Sequence, residues 1–140
     1  ILCLLIINLY ISVYNLRNSS KHDILGLTDT WHESLDSPSL LSAIPPGYTF
    51  LDLFRPPINP LSHKYSSYGG LCLIYKNSLS ASFDSSFKCN SFECLFSKFK
   101  YFSYNFIVIL IYRSPSGYVC NFIDDFYNLI EYVFSLFYYG

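Results

Sequence analysis

Apolar positions in this chain fall into short runs and one long periodic stretch, and the two patterns predict different elements. Residues 23–28 hold Ile24, Leu25 and Leu27, a run of the length and kind a buried strand shows. Residues 47–54 predict a second strand and residues 68–76 a third, where Gly69 and Gly70 permit a bulge or a close backbone approach. Residues 91–101 alternate, with Phe92, Cys94 and Phe96 on one face and Glu93, Leu95 and Ser97 on the other. Residues 106–112 do not alternate at all, which predicts a central strand covered on both faces. Over residues 121–137 the period changes: Phe122, Phe126, Leu129, Ile130, Val133 and Phe137 make the buried stripe of a helix, with Asp124 and Asp125 expected in its first turn. Between these elements lie polar or proline-bearing loops, at residues 19–22, 32–46 and 55–67. No internal repeat organises them.

The run at residues 1–14 is apolar throughout and has two readings. It is shorter than the roughly 20 residues needed to span a bilayer, and it carries neither a preceding basic region nor a small-residue cleavage site. We therefore expect a buried helix, with Leu4, Leu5, Leu9, Ile11 and Val13 facing a sheet and Asn8 and Asn15 outward; membrane association is the alternative.

Four segments carry a resemblance. They are Thr28-Asp29-Thr30-Trp31 at the end of the first internal strand, Pro45-Pro46-Gly47-Tyr48, Gly69-Gly70-Leu71-Cys72, and Tyr112-Arg113-Ser114-Pro115. In that order they resemble the endonuclease/exonuclease/phosphatase family, specifically the apurinic-endonuclease-like nuclease domain of non-LTR (LINE-type) retrotransposons. That family usually reads Thr-Glu-Thr-Trp, Pro-Gly-Tyr, Gly-Gly-Val-Ala and Tyr-Arg-Pro-Pro at these places. The resemblance covers residues 16–137 and is specific in its order more than in any one motif. It implies an α/β fold, a fragment of a four-layer α/β sandwich in which two β-sheets are flanked by helices.

Composition narrows the class without choosing a function. The chain has 140 residues, enough for one domain with a real core, and 51% of them are hydrophobic and 20% aromatic, which excludes intrinsic disorder. Nine basic residues against ten acidic ones, with no basic block, give no strong nucleic-acid patch. Five cysteines, an odd number with no Cys-x-x-Cys pair, speak for a reducing compartment. The expected location is thus intracellular, nuclear or cytoplasmic, not secreted, and Asn18-Ser19-Ser20 is a sequon only formally.

The candidate chemistry follows from the resemblance. Asp29 stands where the family carries a metal-binding Glu, so it is the candidate ligand for Mg²⁺, a hard cation that prefers oxygen donors. Its side chain is shorter by one bond, roughly 1.5 Å, which favours a water-bridged contact over direct ligation. The bland reading of Asp29 is a helix cap after the strand. Tyr112 matches the family's active-site tyrosine, whose phenol would donate to a phosphate oxygen or orient water; otherwise it is an aromatic closing a buried strand. Arg113 is the phosphate-binding candidate, with a solvated strand-end arginine as its alternative. His22, His32 and His63 match no catalytic position.

By the resemblance, the family's Asn-bearing first strand would precede Ile1, and its Gly-Asp-X-Asn motif and Asp-His pair would follow Gly140. The expected function is therefore a fragment of a metal-dependent, DNA-nicking endonuclease, truncated at both ends and inactive as it stands, with DNA as partner of the full-length parent. The alternatives are a non-catalytic remnant or interaction protein from a decayed mobile element, and a small membrane-associated protein.

Overall fold

A computed structural model describes residues 2–4, 23–28, 41–42, 44–53, 70–83, 91–113 and 119–139. Seven strands and one helix lie in these residues: β1 Leu2–Leu4, β2 Ile24–Thr28, β3 Tyr48–Leu53, β4 Leu71–Lys76, β5 Ser80–Phe83, β6 Glu93–Tyr101, β7 Tyr104–Tyr112 and α1 Val119–Tyr139. They form two sheets, one ordered β1-β7-β6-β5 and the other β2-β4-β3. All pairings are antiparallel except β1 with β7, which run parallel.

Strand parity decides what each face buries. On β4, Leu71, Leu73 and Tyr75 point toward the four-stranded sheet, where they join Leu95 and Phe99 of β6 and Val108, Leu110 and Tyr112 of β7. The other face of β7 carries Ile107, Ile109 and Ile111, which pack with Phe92 and Phe96 against Leu129 and Val133 of α1. Strand β7 is thus interior in its sheet and buried on both faces, as its unbroken apolar run requires. The outer face of the three-stranded sheet is also closed, with Cys72 and Ile74 buried and Leu25, Leu27, Ile44, Tyr48 and Phe50 packed around them. Sheet on sheet with a helix on one outer face is a mixed α/β sandwich, the fold the resemblance implied.

Three local departures have physical causes. Leu2–Leu4 is a strand, not the start of a helix, because pairing with the doubly buried β7 demands the same continuous apolar run that a buried helix shows; residues 5–22 lie outside the described ones. The helix begins at Val119, so Asp124 and Asp125 stand beyond its first turn, and Asp125 instead accepts the Ser91 N–H at 3.0 Å, fastening α1 to the entry of β6. Strand β5 is short and polar, and it is held by register with β6 and by the Ser97 hydroxyl, which donates from inside the core to the Ser82 carbonyl.

Gly26 lies where β2 passes over β7. A Cβ there would lie 3.0 Å from Cδ1 of the fully buried Leu110, tighter than ordinary contact, so a side chain at this position requires Leu110 to give way.

Candidate functional site at the sheet rim

The strand directions bring several carboxyl ends to one rim. In the three-stranded sheet Thr28 pairs with Leu71 and Leu53 pairs with the same residue, so β2 and β3 both finish where β4 begins. In the four-stranded sheet Glu93 pairs with Tyr112, so β7 finishes where β6 begins. The two ends are the same end of the sandwich, because the Gly70 N–H donates to Glu93 Oε2 at 3.0 Å. At the opposite end Tyr75 meets Phe99 edge to face, with ring centroids 5.2 Å apart, which confirms that the sheets overlie in this sense. Gly70 adopts φ 96°, a left-handed conformation that side chains disfavour, and this turns its amide toward the other sheet.

The rim therefore gathers Thr28, Gly70, Glu93 and Tyr112. Thr28 shares the inward parity of Ile24 and Gly26 and is buried. Tyr112 also points inward, with only 8% of its surface exposed, so its ring belongs to the core between the sheets. Glu93 is its cross-strand neighbour and shares its face, half-buried. Sequence reasoning placed Glu93 only as a member of an alternating strand. Its partner is a backbone amide 23 positions away, which no residue pattern announces.

Arg113 goes the other way. Its guanidinium carbon lies 5.5 Å from the centre of the Phe122 ring of α1, a cation–π contact on the helix side of the sheet. Successive residues of a strand face opposite sides, so Tyr112 and Arg113 are not brought together. Asp29, one residue past the end of β2, lies outside the described residues, as do Ser114 and the three histidines. Among the described residues no three His, Cys, Asp or Glu side chains gather as a group that could hold a metal ion.

Two electrostatic features lie elsewhere. Burial pushes the Cys72 thiol far above its ordinary value, and the Asp52 carboxylate opposite it on β3 adds to the rise. At the other end of the sandwich the Asp23 carboxylate accepts a 2.7 Å hydrogen bond from Lys76 Nζ and holds that ammonium above the usual lysine range. No helix among the described residues is long and apolar enough to cross a membrane.

No family model matches the chain, and neither the curated proteins nor the solved structures give a significant match.

Proposed function

We propose that this chain is part of a divalent-metal-dependent phosphodiester endonuclease domain, of the apurinic-endonuclease-like kind that nicks DNA for retrotransposition, and that it is not competent to cut DNA alone. The observation that carries the reading is the shared rim: β2, which leads into Asp29, and β7, which ends in Tyr112, deliver their carboxyl ends to the same side of the sandwich. Ligands of open α/β sheets bind at such ends. In this reading Asp29 holds Mg²⁺ directly or through water, and Tyr112 donates from its phenol to a phosphate oxygen. Arg113 contributes from the helix side, where a phosphate passing over the rim would meet it.

The reading is tested by adding Mn²⁺ to the chain and following the Tyr112 ring by NMR, assigned through Tyr112→Phe. Broadening of that ring that disappears in Asp29→Ala supports a metal at the rim, and broadening that is absent or insensitive to Asp29→Ala overturns it. In parallel, the chain leaves supercoiled plasmid and abasic-site DNA intact in Mg²⁺; turnover above an Asp29→Ala, Tyr112→Phe control would show that it is competent after all.

A second reading, a non-catalytic interaction remnant, is favoured by the burial of Tyr112, whose ring is committed to the core. It expects no metal at the rim in the same measurement.

A further inference from the structure

Helix α1 carries more apolar surface than the sheet beneath it covers. Its core stripe, Phe122, Phe126, Leu129, Val133 and Leu136, packs on the four-stranded sheet. On one side of that stripe Asp125 accepts the Ser91 N–H and Tyr132 meets Phe96 edge to face, with centroids 6.1 Å apart, so this flank lies over β6. On the other side Ile123, Ile130 and Phe134 fall within about 40° of one another at roughly 100° per residue, and about 100° round the helix from the core stripe. Ile123 is 54% exposed and Phe134 46%. A flank turned away from β6 in the order β1-β7-β6-β5 overlooks the β1 edge.

The path of the chain leads to the same place. Strand β1 runs parallel to β7, whose last residues form the rim, so the chain leaves Leu4 heading for the rim. Asp23, which accepts the Lys76 N–H at 3.0 Å, enters β2 at the opposite pole. Residues 5–22 lie outside the described ones, and they connect these two points starting from the β1 edge. Helix α1 makes the same journey, from the rim, where Phe122 meets Arg113, toward the far pole. The height to be covered is on the order of 15 Å, the rise of about ten helical residues. In residues 5–16 the polar side chains are Asn8, Ser12 and Asn15, spaced four and three apart, and every other residue is aliphatic or aromatic. On a helix that spacing makes one narrow polar stripe and an apolar arc too wide for a single wall.

We propose that the flank of α1 formed by Ile123, Ile130 and Phe134 is the docking surface for residues 5–16 of the same chain, lying as a helix beside α1 with Asn8, Ser12 and Asn15 toward solvent. The sheet edge supplies one wall for the wide apolar arc and α1 the other. Both surfaces are uncharged, since residues 5–16 hold no ionisable acid or base and Asp124 and Glu131 lie on the side of α1 away from the sheet. A second copy of this chain is the competing occupant. It fits less well, because α1 has no basic residue, and pairing two α1 helices would border the contact with Asp124 and Glu131 from both copies. The contact forms whether or not the rim holds a metal.

The test uses the full chain with its Ile δ1 and Leu δ methyl groups labelled for NMR. The Ile123 and Ile130 methyls, assigned through Ile123→Val and Ile130→Val, are expected to give NOE cross-peaks to Ile and Leu methyls of residues 5–16, and to give none in an isotope-filtered spectrum of mixed labelled and unlabelled copies. The Ile123→Ser, Phe134→Ser double variant is expected to speed amide hydrogen exchange in residues 5–16 about tenfold or more while leaving residues 106–112 unchanged. The proposal is overturned if the cross-peaks are missing, if they arise between copies, or if exchange in residues 5–16 does not respond to the double variant.

Discussion

Glu93 on β6 and Gly70 before β4 join the two sheets at the rim by one charge-assisted hydrogen bond, carboxylate to backbone amide at 3.0 Å. The acceptor is half-buried and the donor buried, so water replaces the bond poorly. Glu93→Ala should cost about 1.5–3 kcal/mol in urea denaturation, whereas Glu93→Gln, which keeps an acceptor oxygen, should cost less than half of that. Equal losses for the two variants would mean that packing, not the carboxylate, holds this corner.

The crossing of β2 over β7 is tight enough to be tested by adding atoms. Gly26→Val places methyl groups against the fully buried Leu110, and the expected loss is about 1–3 kcal/mol. Combining it with Leu110→Ala should recover part of that loss, giving a coupling of at least about 0.5 kcal/mol in a double-mutant cycle. Strict additivity would place the two residues out of contact.

Cys72 gives a dependence on pH with a definite sign. Its thiol is neutral in the folded state well past the pH at which an unfolded thiol, with a pKa of about 8.5, ionises. The folded chain thus binds more protons than the unfolded one above that value, and stability falls as pH rises. Relative to Cys72→Ala, the native chain should lose about 2 kcal/mol between pH 8 and pH 10. Peptide mapping after alkylation at pH 8 should find Cys72 unmodified until denaturant is added.

The two sides of α1 should respond differently. Leu129 is fully buried against the four-stranded sheet, and Leu129→Ala is expected to cost about 2–5 kcal/mol. Tyr127, two residues earlier and 67% exposed, should tolerate Tyr127→Ser within about 0.5 kcal/mol. Thermal melts of the two variants, each beside the native chain, measure both.

What the residues announced and what they hid divides along the reach of each interaction. Strand β7 was legible because residues 106–112 can face water on neither side, and α1 was legible because its stripe repeats at the helical period. Strand β5 was not, since Ser80, Ala81 and Ser82 carry no apolar alternation and owe their place to β6. Leu2–Leu4 misled because a strand buried beside another and a buried helix share one signature. At the candidate site Tyr112 was singled out only by the resemblance of its segment, and Glu93 was passed over because its hydrogen bond depends on the distant Gly70. That Tyr112 and Arg113 face apart follows from strand alternation and was readable in principle.

The parallel pairing of β1 with β7 also sets an order of events during synthesis. Strands β2, β3 and β4 lie within one stretch of chain, and β6, β7 and α1 lie within another, so each group closes short loops. Leu2–Leu4, by contrast, meets Ile107–Ile109 across a separation of about a hundred residues. Emerging before β7, these three apolar residues have no strand partner until β7 has been made, and the length of the loop they close makes theirs the costliest of the described strand pairings to form.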